Sequence, residues 1–251
     1  MEPIYTQNFT IEDVHVDRFG KLKPSMILYI AQEMSGRHSE LMNVGFDTLY
    51  SRNLFWAVNR HRVQVTRLPE KGETIRVETW PLPATHAAFP RSVIAYDSQG
   101  SELFRCMSLW VLMDVNTRRM ITPGKSGIMV VGTHRGRELP APTGLILRPM
   151  GTTRTRTVRF SDLDRNGHMN NTRCMDWVAD LLPSAFHQHH TVTDFTVCYL
   201  AEAKEGQELT LSWDMLDDGT LQADAITGAG EEAHRVFSAV SCTHLTLPTN
   251  R

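Results

Sequence analysis

The run Asp164-Arg165-Asn166-Gly167-His168-Met169-Asn170-Asn171 returns in altered form as Asp17-Arg18-Phe19-Gly20-Lys21-Leu22, and the architecture follows from that recurrence. Aligned on Asp-Arg and on the glycine, Phe19 stands where the later copy has Asn166, and Lys21 where it has His168. A helical pattern follows each copy. After the first, Pro24 suits an opening turn, and Ile27, Ile30, Ala31, Met34, Leu41 and Met42 give an apolar face to a helix expected over 24–43. After the second, Asn170 or Asn171 can cap a helix reaching Leu182, with Cys174, Val178, Leu181 and Leu182 at helical spacing. Further along, 63–77 with Gly72 parallels 197–211 with Gly206, and both read as strand, glycine turn, strand. Two matched segments in the same order mean two related halves, with the polar set kept in the second and lost in the first.

The rest of the pattern fits that division. Strands are expected near 5–14, 55–67, 74–81, 89–96 and 103–114, then near 152–160, 194–201, 208–216, 221–227 and 233–243. Asp97-Ser98-Gln99-Gly100 is a hairpin turn. Residues 122–150 carry five glycines and four prolines and read as a connection with little regular structure. The expected domains are 1–132 and 151–251, joined by a linker at 133–150. A helix followed by an antiparallel run of strands, twice, is an α+β architecture with each helix on one sheet face. The tail 245–251 has no periodicity and is assigned no structure.

Composition narrows the function classes. A chain of 251 residues has room for about two domains, each with its own core. A net charge of −2 gives no bulk attraction to nucleic acid or to an anionic membrane. Cys106, Cys174, Cys198 and Cys242 lack metal-type spacing and read as reduced thiols of a cytosolic protein. Residues Met1 to Tyr5 show no basic-then-apolar signal, and no stretch approaches the roughly 20 apolar residues of a membrane span. A cytoplasmic location is expected. No glycine-rich phosphate loop or serine nucleophile elbow is present, which disfavours nucleotide enzymes and α/β-hydrolases.

The polar run itself has a chemical reading and a bland one. Imidazole is the side chain whose proton exchange falls nearest neutral pH, and amides ahead of a helix can hold a developing oxyanion. The backbone N–H groups from Asn170 to Thr172 are the candidates for that role. Alternatively Asp164 and Asn166 form a capping turn and His168 is a structural donor. His187, His189 and His190 lie in an expected polar loop without an acid or cysteine partner, and read as a solvated turn rather than a metal site.

Further stretches align with a known family. They are Asn53-Leu54-Phe55-Trp56-Ala57-Val58-Asn59-Arg60, Arg76-Val77-Glu78-Thr79-Trp80, Ser108-Leu109-Trp110-Val111-Leu112-Met113-Asp114, Thr117-Arg118-Arg119, and Phe160 through Asn171. In this order, over almost the whole chain, they resemble the fatty acyl–acyl carrier protein (ACP) thioesterases, a family built as two tandem hotdog domains. The resemblance implies an active site containing Asp164, Asn166 and His168, with an acid on the following strand, here Glu202. It also implies that the first domain supplies the acyl pocket and the second the chemistry, without metal or organic cofactor.

Plant members carry a cysteine after that glutamate; here the position is Ala203, which argues against a cysteine acyl-enzyme. Strand alternation would place Cys198 on the face of Glu202. Either His168 or Glu202 could take the proton of water. Met34, Met42, Phe46, Leu49 and Trp56 are candidates to line the acyl pocket, with Asn170 also facing substrate; ordinary core packing explains the apolar ones as well. Arg148, Arg154, Arg156 and Arg159 form a candidate docking surface for acidic ACP, or a charged edge strand. The expected activity is hydrolysis of acyl-ACP. Open beside it are an acyl-CoA thioesterase of the same fold, a non-catalytic acyl-binding protein, a hotdog dehydratase, and the question of a homodimer.

Overall fold

The computed structural model describes residues 3–228 and 230–245, so the tail 246–251 lies outside it. The chain divides into two compact units, Met1–Pro142 and Thr143–Arg251. In the first unit, β1 (Tyr5–Thr10) leads to α1 (Pro24–Leu41), α2 (Phe46–Tyr50), β2 (Leu54–Val65), β3 (Thr74–Pro81), β4 (Phe89–Tyr96), β5 (Glu102–Asp114), β6 (Met120–Ile121) and α3 (Pro123–Ser126). The long strands are antiparallel in the order β1-β3-β4-β5-β2, with β6 paired to the C-terminal end of β5.

α1 opens on Pro24, whose missing N–H costs nothing in a first turn. Ile27, Leu28, Ile30, Ala31 and Met34 are buried at helical spacing where the helix lies on β3, β4 and β5. The helix stops at Leu41, ahead of the expected 43, because Asn43 turns left-handed at φ 56°. Beneath it lies a polar row that periodicity does not reveal. His38 Nδ1 is 3.0 Å from Arg91 Nη1, and His61 Nδ1 is 2.8 Å from Ser108 Oγ, with Cys106 Sγ at 3.6 Å. Burial drives the His61 pKa down to about 3 and the Cys106 thiol up to about 12, so both stay neutral inside the unit.

β4 is buried along its whole length, which requires cover on both faces. Arg91 and hence Val93 and Ala95 face α1; Ile94 and Tyr96 face the other way. That second face is covered by residues within 127–142, a stretch that contains no helix or strand but runs as a strap. Thr133 N–H donates to Pro81 O (2.9 Å), Trp80 Nε1–H to Glu138 Oε1 (3.1 Å), and Arg105 Nη1–H to Arg137 O (3.3 Å). Leu139 packs with Trp80, Ile94, Tyr96 and Met107. Gly132 permits the approach: a Cβ there would sit 1.9 Å from the Leu82 carbonyl carbon. Gly132→Ala is therefore expected to cost about 1–3 kcal/mol in urea denaturation, the usual range for overpacking; an unchanged midpoint would show that the strap shifts freely.

The second unit repeats the plan with β7 (Thr152–Thr157), α4 (Arg173–Ala179), α5 (Ser184–His189), β8 (His190–Tyr199), β9 (Glu208–Met215), β10 (Thr220–Thr227) and β11 (His234–Leu245). Its order is β7-β9-β10-β11-β8, strand for strand that of the first unit. This is the α+β, double-hotdog arrangement. The strap continues on this unit: the Gln222 amide holds the N–H and C=O of Arg148 (3.1 and 3.2 Å), and Asp214 Oδ2 accepts from Gly151 N–H (2.8 Å).

Three local expectations change. The helix expected to reach Leu182 spans only seven residues, because Pro183 cannot continue it. The expected histidine loop is α5 and the start of β8: His187 Nε2 lies 3.0 Å from Ala179 O, and the His190 ring stacks on Phe186 at 3.9 Å. These histidines pack a helical turn. The four arginines do not make one free patch either. Arg156 pairs with Asp180 (2.7 Å) and lies over the Trp177 ring at 4.4 Å, while Arg154 is exposed on β7.

Candidate active site

Asp164 builds the turn that carries the site. Its Oδ1 accepts from the N–H groups of Asn166 (2.8 Å) and His168 (3.3 Å), its Oδ2 from Asn166 Nδ2–H (3.2 Å), and Gly167 takes φ 78°. The same device recurs elsewhere. Asp17 Oδ1 accepts from Phe19 and Lys21 N–H (2.8 and 3.1 Å), and Asp97 Oδ1 from Gln99 and Ser101 N–H (2.9 and 2.8 Å). The carboxylate of such a turn is thus a local necessity. What sets the 164–168 turn apart is the pair of side chains at its second and fourth steps.

The turn is then stitched to the segment after β8. Met169 N–H donates to Ala203 O (2.8 Å), and His168 bridges Lys204. Leu22 N–H donates likewise to Pro69 O (3.1 Å), and Lys21 bridges Glu70. The two units therefore match in detail, and Lys21 and Leu68 occupy the places of His168 and Glu202. In the second unit those two places hold an imidazole and a carboxylate in contact: His168 Nε2 lies 3.5 Å from Glu202 Oε2. The histidine is 18% exposed and the glutamate 45%, so water reaches both.

The remaining expected residues fall differently. Asn166 is exposed and donates its backbone N–H and its Nδ2–H to Asp164. Asn170 uses Oδ1 on the N–H and hydroxyl of Thr172 (3.0 and 2.9 Å), and its own N–H on Asp162 O (2.8 Å). It makes a local turn two residues long rather than a helix cap, and the Asn170 and Thr172 N–H groups are already committed. Cys198 does not share a face with Glu202, because β8 ends at Tyr199 and alternation ends with it; Sγ lies 3.8 Å from Thr143 O, under the strap. Among the described residues no three metal-ligating side chains converge.

Two supports of the site have no local signature in the sequence. Asp162 is buried, with Oδ2 accepting from Arg159 N–H (2.9 Å) and Oδ1 from Trp177 Nε1–H (3.2 Å). Tyr199 donates its hydroxyl to Asn171 O (3.2 Å). Their partners lie 15 and 28 residues away, beyond any local pattern. In the first unit, Met42 and Trp56 pack on Val44, Leu49, Leu54, Phe89 and Ile128, while Met34 is buried elsewhere. Phe46 stacks on Tyr50 at 5.4 Å. An open cavity of about 370 Å³ adjoins that cluster, lined by Phe89, Ile128, Met129, Val130 and Val131 among others.

Known proteins share this fold and its two-unit order. The profile of the acyl-ACP thioesterase N-terminal domain matches residues 2–123, and that of the C-terminal domain matches 150–238. A dodecanoyl-[acyl-carrier-protein] hydrolase of Cinnamomum camphora is 25% identical over 79% of this chain, and a palmitoyl-acyl carrier protein thioesterase of Arabidopsis thaliana 24% over 96%. The chain spans 56% and 60% of the lengths of these two chloroplastic relatives. Among solved structures, an acyl-ACP thioesterase from Bacteroides thetaiotaomicron has the same fold (TM-score 0.84, 24% identity, 96% of this chain and 98% of that one). So does the 12:0-ACP thioesterase of Umbellularia californica (TM-score 0.80, 24% identity, 98% and 99%). With both domain profiles matched in order on two units of one topology, the chain belongs to the acyl-ACP thioesterase family.

Proposed function

We propose that this chain hydrolyses fatty acyl-ACP to free fatty acid and the carrier thiol, in the cytoplasm and without a metal or organic cofactor. The observation that carries the reading is the His168–Glu202 contact at 3.5 Å, on a turn that the first unit keeps without either group. A water held by this pair gives up its proton to it as the water oxygen bonds to the thioester carbonyl carbon. Collapse of the tetrahedral intermediate breaks the C–S bond, and the proton passes to the departing sulfur. Asp164 and Asn166 serve by fixing the turn from which His168 projects.

The first unit, in the same reading, holds the acyl chain. Support comes from the apolar cluster of Met42, Trp56 and Phe89, which continues into the 370 Å³ cavity through Phe89 and Ile128. Met42→Ala is expected to move preference toward acyl chains about two carbons longer, by about tenfold in relative kcat/KM at roughly 0.8 kcal/mol per buried methylene. A competition assay across chain lengths reads this, and an unchanged profile would remove Met42 from the pocket.

The test of the whole reading is thiol release from matched panels of acyl-ACP and acyl-CoA. Turnover on acyl-ACP supports it. Turnover confined to acyl-CoA changes the carrier, and acyl binding without turnover on any thioester replaces the enzyme with a binding protein.

A further inference from the structure

We infer that the end of the first unit formed by α3, β6 and the approach to β2 is the docking surface for the acidic carrier domain, an inference that rests on the acyl-ACP reading above. Lys125 lies in α3, Arg119 immediately precedes β6, and Arg52 stands two residues before β2. Register and contacts bring them to one end of the unit. The Arg52 guanidinium lies against Gly127, where a Cβ would be 3.2 Å from Nη2. Arg119 O accepts from Asp114 N–H (2.9 Å), and Asp114 pairs with Leu54 at the start of β2.

All three cations are exposed, and among the described residues none makes an ion pair. Nearby Arg118 adds a fourth positive charge, its guanidinium 4.6 Å from the centre of the Phe55 ring. Against them stand Asp47 in α2, Glu40, whose Oε1 accepts from Phe46 N–H (2.9 Å), and Asp114, whose carboxylate is held ionised by the N–H and hydroxyl of Thr117 and the N–H of Asn116. The balance is positive.

An apolar surface adjoins these charges. Met129 and Val131 are 86% and 84% exposed and line the open cavity together with Gly124, next to Lys125. Large apolar side chains left in water beside Arg52, Arg119 and Lys125 describe a surface that waits for a partner. The partner is the acidic carrier domain, because cations beside large exposed apolar side chains match a protein surface of opposite charge. Opposite charge at a rim steers association, and the apolar centre supplies the contact. The arginines of the β7 region suit this role less well, since Arg156 is already held by Asp180 and Trp177.

The test is the double variant Arg119→Glu/Lys125→Glu, with steady-state kinetics on one acyl chain carried by ACP and by CoA. KM for acyl-ACP is expected to rise about tenfold with kcat little changed, and its dependence on salt to weaken. KM for acyl-CoA should stay within about twofold. An unchanged KM for acyl-ACP, or equal losses on both carriers, would overturn the docking surface. Direct titration with holo-ACP separates this from the activity itself. Wild-type binding that the double variant abolishes upholds the surface even if no acyl-ACP is turned over, and equal binding by both proteins refutes it.

Discussion

Replacing His168 with alanine is expected to lower kcat/KM on acyl-ACP by about 10²–10⁴-fold, the contribution typical of one positioned general acid–base group. Glu202→Gln should fall in the same range, since it keeps the shape and removes the charge beside the imidazole. If the two groups move one proton as a unit, the double variant will be no worse than the poorer single one. Fully additive losses would mean independent roles and would break the proposed pairing. His168→Lys, which installs the residue of the first unit's turn, should be as inactive as His168→Ala. None of these changes touches a buried core, so unfolding midpoints should stay close to wild type. Retention of more than half the wild-type kcat/KM by His168→Ala would send the search for the reactive groups elsewhere.

The second large effect concerns the scaffold of the same turn. Trp177 is fully buried in α4, and truncation to alanine is expected to cost about 3–5 kcal/mol. It also carries the Arg156 guanidinium over its ring at 4.4 Å. Trp177→Phe keeps most of the volume but removes the indole N–H that meets Asp162 Oδ1 at 3.2 Å. A buried carboxylate oxygen then loses its donor, for about 1–3 kcal/mol. Asp162 holds Arg159 through its side chain and Asn170 through its carbonyl, so it fixes both ends of the segment that presents His168. Urea denaturation of the two variants checks the values. A neutral Trp177→Phe would show that the segment is fixed without this bond.

Much of the fold could be read from repetition. The Asp-Arg-x-Gly match and the two glycine-centred strand pairs correspond to real structural equivalences, down to the Leu22–Pro69 and Met169–Ala203 hydrogen bonds. β3 and β4 keep their expected limits, because turn residues bound them on both sides. The second helix is shorter than its apolar spacing for a physical reason: that spacing continues through Leu181 and Leu182 while Pro183 prevents the backbone from following. The candidate site was legible as residue types but not as roles. Asp164 looks catalytic in a list of polar residues, yet Asp97 makes the same pair of bonds in an ordinary hairpin. The buried partners of the site, Asp162 with Trp177 and Tyr199 with Asn171, belong to tertiary contacts that no local period encodes. The Arg91–His38 and His61–Ser108 contacts escape for the same reason.

The strap alters where this chain can be cut. Glycine and proline between 122 and 150 mark the place where a protein chemist would divide it and express either half as a fragment. A fragment starting at Gly151 would leave Gln222 and Cys198 without the backbone groups of Arg148 and Thr143 that cover them. One ending before Thr133 would bare Trp80, Ile94 and Tyr96 to water and invite association through that face. A cut between Pro142 and Thr143 gives each half its own portion of the covering, so the useful boundary lies inside the segment that looks dispensable.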